Sequence, residues 1–256
     1  MTFDEAFTSF IGANAVSAEL VSDLLPKKVD FPNADYFFQN RKFIVELKGL
    51  EEEKYDAVHK ICIELLNKGE IPSFQKGMTV KDVIKEHPQK DLIISKMHSK
   101  VTSSLVGALE KANRQIRETR HHFKLIDSRG AVVIVNIDNT VLEPKLADGV
   151  IDMLMRQKKD DGAYRYEEIS FIIYISNVHF QCNGSMPFYV IKRERQFDEV
   201  DMRFINEFKD VWGRFRGLPV DDIGPASWKG IREISFLSKN KDFESPEKSS
   251  QSKGGH

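Results

Sequence analysis

Two acidic residues on neighbouring stretches of chain constrain this sequence more than any other feature. Asp35-Tyr36-Phe37-Phe38 and Phe43-Ile44-Val45-Glu46-Leu47-Lys48 are rich in aromatic and β-branched side chains and flank the polar run Gln39-Asn40-Arg41-Lys42. That pattern spells a β-hairpin. With Asn40 and Arg41 as the loop, Gln39 pairs with Lys42, Phe38 with Phe43 and Asp35 with Glu46. A four-residue loop over the same centre gives the same pairs; an odd loop makes the acids diagonal. Directly opposed side chains sit about 4.5–5.5 Å apart at Cβ, where like charges destabilise. Two carboxylates so placed in apolar strands need a cation between them, and oxygen ligands suit Mg²⁺ or Mn²⁺.

Strand periodicity fixes the next step. Glu46 and Lys48 are two residues apart, so both face the same side while Leu47 faces away. A lysine there can orient a water, stabilise its hydroxide form or neutralise phosphate charge. Two acids, a metal and a cation are the parts that phosphodiester hydrolysis needs.

The stretch Pro32-Asn33-Ala34-Asp35, followed by Glu46-Leu47-Lys48 on a hydrophobic strand, resembles the PD-(D/E)xK nuclease superfamily. That superfamily includes restriction endonucleases, Holliday junction resolvases and RecB-type exonucleases. The resemblance implies an α/β, restriction endonuclease-like fold: a central mixed β-sheet flanked by helices, here with a mainly helical insertion. It implies metal binding by Asp35, Glu46 and the Leu47 carbonyl, with Lys48 at the attacking water and DNA as substrate. In this chain Asn33 and Ala34 separate Pro32 from Asp35, whereas the nominal pattern puts them adjacent. The superfamily often adds an acid from its first helix, for which Glu19 is the first candidate and Glu5 the second. RecB-type nucleases carry a glutamine on the helix after the catalytic strands, and Gln115 resembles it. Their pattern would put Tyr four residues later, where this chain has Thr119. Beside Gln115, Arg114, Arg117 and Arg120 recur every three residues, a drifting basic stripe suited to phosphate, with a solvated helix face as the competing reading.

The remaining pattern alternates helices and strands. The first 25 residues read as helical, in one piece or two split at Gly12 and Asn14, and Pro26 ends them. A short strand is expected over 27–31 and a helix over 51–68. Pro72, Gly77 and Pro88 break 69–102 into pieces that read as an inserted lid or subdomain. A long helix over 103–124 follows, then strands at 130–137, 169–176 and 188–192 and helices at 145–158 and 202–215. Residues 1–240 are thus expected to form one nuclease domain, with a disordered Ser, Lys and Gly-rich tail at 241–256.

Composition excludes some classes. The net charge of −1 means that any nucleic-acid surface must be local. Two cysteines make no disulfide framework, no apolar run approaches a membrane span, and the acidic N-terminus does not read as a signal peptide. The expectation is a cytoplasmic, metal-dependent deoxyribonuclease acting alone, as a homodimer or with a partner protein. The alternative is a catalytically silent nuclease-fold module that binds nucleic acid or protein. Other motifs carry less. The segment Asn136-Ile137-Asp138-Asn139-Thr140 imitates a phosphatase motif, but an amide at 136 cannot be its nucleophile. His179 with Cys182, and His59 with Cys62, lack the partners that thiol catalysis or zinc binding requires. Phe204, Phe208, Trp212 and Phe215 at helical spacing read as a core stripe.

Overall fold

Strands β1 (Ala18–Leu20), β2 (Tyr36–Phe38), β3 (Phe43–Leu50), β4 (Arg129–Asn136), β5 (Phe171–Ser176), β6 (Met186–Lys192) and β7 (Val220–Asp222) form one seven-stranded sheet, neighbours in space in the order they occur in the chain. This is a computed structural model that describes residues 3–14, 17–51, 54–72, 82, 84, 85, 87–180, 184–193 and 197–222. The expected tail at 241–256 and Cys182 lie outside the described residues. Helices α1 (Phe3–Asn14), α2 (Tyr55–Asn67), α3 (Lys90–Phe123), α4 (Pro144–Met155) and α5 (Glu199–Arg216) flank the sheet.

The placement of the helices follows from strand direction. β3, β4 and β5 run parallel, joined through α2 with α3 and then through α4. Parallel crossovers are right-handed, so both connections must lie on one face. The core there joins Val58 and Cys62 of α2, Leu105 and Ile116 of α3 and Ile151 of α4 to Ile44, Val132 and Ile172 of the sheet. β6 runs antiparallel to β5, and β7 is parallel to β6. With direction reversed and lateral progress unchanged, the same handedness sends α5 to the other face. Phe204, Phe208 and Trp212 pack there with Phe7 of α1 against Phe38, Val133 and Phe171, as the stripe predicts.

The hairpin forms in the register its sequence dictates. Phe38 pairs with Phe43, Phe37 with Ile44 and Tyr36 with Val45. Strand pairing stops at Phe38–Phe43, so the loop is the four residues 39–42: Gln39, Asn40 and Arg41 have φ of 51°, 54° and 64°, and Lys42 N–H closes the turn on Gln39 O at 3.3 Å.

Three expectations are corrected. The helix expected through residue 25 ends at Asn14; Ala18–Leu20 pairs with β2 as an edge strand, and Val21–Leu24 is a single 3₁₀ turn. Ladder pairing to an exposed strand edge outweighs weak local helix propensity. Residues 27–31 form no strand; Phe31 stacks on His122 at 4.7 Å instead. Residues 90–102, expected within a separate insertion, are the first turns of α3. Ile93, Met97, Val101 and Leu105 at four-residue spacing continue its buried face without a break.

Candidate active site

The site begins where β2 stops pairing. The Asp35 N–H donates to Val45 O at 3.2 Å, and Asp35 O accepts from Val21 N at 3.1 Å. One residue earlier the chain turns toward α3: the buried Ala34 N–H donates to Thr119 Oγ1 at 2.8 Å. That leaves the Leu47 N–H of β3 without a strand partner on this side, and the Asp35 carboxylate accepts it through Oδ2 at 2.7 Å. Buried backbone donors must be satisfied, so the end of the short strand itself draws the Asp35 carboxylate toward β3. The observed ladder ends at Tyr36–Val45 and the Asp35 N–H falls on Val45 O, so, contrary to the expected pairing, Asp35 is not in regular register with Glu46. The two meet instead through their carboxyls, which lie within interaction distance of each other.

Glu46 is buried, whereas Lys48 reaches the surface. Lys48 Nζ donates to Glu46 Oε1 and, at 2.9 Å, to Gln115 Oε1. Gln115 in turn donates through Nε2 to Asn33 O at 2.8 Å. Gln115 and Thr119 sit one turn apart on α3, so a single helix face fixes both Lys48 and the two residues ahead of Asp35. Thr119 carries no sequence signal beyond differing from a tyrosine pattern; its role emerges only from the fold.

Burial pushes the Glu46 carboxyl well above its ordinary range, and the nearby Asp35 charge pushes it further; Lys48 pulls the other way. Glu46 Oε2 is buried with no N–H or hydroxyl donor among the described residues, and what lies against the Glu46 carboxyl is the carboxyl of Asp35. An orphaned carboxylate oxygen beside a second carboxylate is costly unless something binds there. Among the described residues no group of three or more His, Cys, Asp or Glu side chains forms a metal cluster. The donor set is therefore two carboxylates, with the Leu47 carbonyl expected beside them. Mg²⁺ commonly takes one or two carboxylates and fills its other positions with water and phosphate, so this sparse set fits it.

The other expected site residues separate. Glu19 is on β1, not on a helix, across from Phe37, and pairs with Arg41 at 3.0 Å. It lies two residues along the ladder from the buried Val21, which neighbours Asp35. Glu5 is on α1, which packs on the opposite face of the sheet. Of the arginine stripe, Arg114 is exposed. Arg117 pairs with Glu118 at 2.9 Å. Arg120 is ion-paired with Glu168 and donates to Ser128 O at 3.1 Å and Glu168 O at 3.4 Å, which ties it to the loops around β4. A drift of about 60° per three-residue step carries Arg120 away from the Gln115 face.

The imitated motifs are structural. Asn136 is fully buried and donates to Asn139 O, Leu142 O and Tyr174 OH while accepting the Asn139 N–H, pinning the turn into α4. Buried His179 accepts from Ser176 Oγ at Nδ1 (2.8 Å) and donates from Nε2 to Thr140 O (3.1 Å). Cys62 is in the core, its thiol pushed up to about 11 by burial. No helix among the described residues is long and apolar enough to cross a membrane. No family model, no curated protein and no solved structure matches this chain.

Proposed function

We propose that this chain is a divalent-metal-dependent phosphodiesterase acting on DNA, with a restriction endonuclease-like core. The observation that carries this reading is the carboxyl pair: Glu46 is buried with no N–H or hydroxyl donor on Oε2 among the described residues, the Asp35 carboxyl lies against it, and the part-buried Lys48 ammonium holds Glu46 Oε1. A site kept for stability alone would not bury an unpaired oxygen next to a second acid. Asp35, Glu46 and the Leu47 carbonyl would hold Mg²⁺ or Mn²⁺, which when bound supplies a Lewis acid and a water of lowered pKa. Lys48 orients the attacking water and offsets charge on the phosphate. Gln115 fixes the ammonium in place and, through Asn33, ties it to the segment that carries Asp35.

The test is cleavage of linear, circular and single-stranded DNA with Mg²⁺, Mn²⁺ or EDTA, beside Asp35→Ala and Lys48→Ala. Metal-dependent cutting that both substitutions abolish is the expected result. Cutting that survives Asp35→Ala overturns the assignment. Binding without cutting on every substrate favours the silent binding module.

A further inference from the structure

Between residues 111 and 120, α3 carries four basic side chains: Lys111, Arg114, Arg117 and Arg120. The fold treats them unequally. Arg117 is held by Glu118 and Arg120 by Glu168. Lys111 and Arg114 are exposed and, among the described residues, make no ion pair or hydrogen bond. The two cations left unneutralised are those beside Gln115. Lys111 lies one turn before it on the same face, and Arg114 is its sequence neighbour, three residues from Lys111 and so adjacent on the helix surface.

Their direction from the site is also fixed. Phe123, near the end of α3, packs on Phe37 of β2 at 5.1 Å, and Gln115 meets Lys48. The second half of α3 therefore runs antiparallel to β3. Lys111, about 6 Å from Gln115 along the helix, lies past Lys48 toward the end of β3. In a chain of net charge −1, two adjacent cations that make no ion pair among the described residues, beside the helix residue that holds Lys48, form a local field suited to a polyanion.

We infer that Lys111 and Arg114 bind the nucleic-acid backbone at the phosphates flanking the one that Lys48 addresses, and that Arg117 and Arg120 lie outside this track. This rests on the phosphodiesterase reading for the identity of the polyanion, not for the placement of the charges. Phosphate contacts of this kind position the strand without reading its sequence. Backbone binding releases counterions, so each contact contributes about 0.9 to the slope of log affinity against log salt on duplex DNA.

The experiment is fluorescence anisotropy of a short labelled DNA duplex in EDTA across a NaCl series, with the full-length protein. Lys111→Ala and Arg114→Ala should each flatten the slope by about 0.9 and weaken binding to unrelated duplex sequences equally, while Arg117→Ala leaves the slope unchanged. Unchanged slopes in both variants, an equal loss in Arg117→Ala, or no salt-dependent binding by the wild type would each overturn the inference. Cleavage with Mn²⁺ on the same preparations separates the two claims. Variants that cut with wild-type KM leave the hydrolase standing and remove this track. Wild-type binding with the expected slopes but no cutting retains the track and removes the hydrolase.

Discussion

Lys48 Nζ donates to Gln115 Oε1 at 2.9 Å, which joins the sheet to the long helix where a part-buried lysine meets the buried acid Glu46. Gln115 also holds Asn33 O, so losing it frees the lysine and the segment ahead of Asp35 together. Gln115→Ala should lower metal-dependent cleavage by about 10–100-fold, the usual cost of losing a group that orients metal-site residues. The half-buried position lets water replace the lost bonds, so the melting temperature should hardly move. Steady-state rates at saturating metal, beside a thermal melt, check this; an unchanged rate would show that Lys48 is positioned by Glu46 alone.

Glu46 should cost the metal-free protein stability. Its carboxyl is raised by burial first and by Asp35 second, so the folded state binds its proton more tightly than the unfolded chain. Stability then falls as pH climbs from the ordinary value of 4.5 through the raised folded value, and the full penalty remains above it. Glu46→Gln removes the titration, so in EDTA its Tm advantage over wild type should grow between pH 5 and pH 8. Each kcal/mol gained corresponds to about 2–4 °C for a chain of this size. Added Mn²⁺ should raise the wild-type Tm and leave the variant unmoved, because only a state that binds ligand is stabilised by it. A variant less stable than wild type at pH 8 without metal would contradict the buried-charge account.

Thr119 is predicted to position Asp35 through the backbone. Its hydroxyl is the acceptor for the buried Ala34 N–H. Thr119→Val keeps the shape and strands that donor, at about 1–3 kcal/mol. The decisive readout is Mn²⁺ affinity by calorimetry, which should weaken in the valine variant and recover in Thr119→Ser. A stability loss with unaltered metal affinity would make the residue structural only.

The hairpin was legible because its information is local. Aromatic runs, a polar turn and a period of two set the pairing from Phe38–Phe43 to Tyr36–Val45, and no distant residue had to be known. The departure from register at Asp35 depends on Val21 and Thr119, which the local pattern does not show. The faces of the helices were legible from four-residue spacing, as with Phe204, Phe208 and Trp212. What the sequence hid was set by partners far along the chain. Ala18–Leu20 is a strand only because β2 offers it an open edge. Glu19 therefore went to a helix it does not occupy. Arg120 looked like its neighbours until Glu168, about 50 residues later, arrived to claim it. Residues 90–102 looked broken off from the helix because Pro88 and Gly77 punctuate the sequence, although the buried spacing from Ile93 runs on unbroken.

Asn136 provides the sharpest test of the competing phosphatase motif. Asn136→Asp restores the acid that such a motif would use, yet the site around it is built for an amide. Nδ2 faces the carbonyls of Asn139 and Leu142 at 2.9 and 3.2 Å, and only Oδ1 meets a donor, the Asn139 N–H at 2.9 Å. A carboxylate there loses the donor bonds to both carbonyls and sets its charge against them in a fully buried position, with the Tyr174 hydroxyl at 3.1 Å as the side-chain group that can turn to donate. The expected cost is about 3 kcal/mol or more. Because burial favours the protonated acid, the loss should be larger at pH 8 than at pH 5, with the same sign as for Glu46. Hydrolysis of p-nitrophenyl phosphate should stay at background. Gain of that activity in a stably folded variant would mean that the turn after β4 is a reaction centre and not a structural pin.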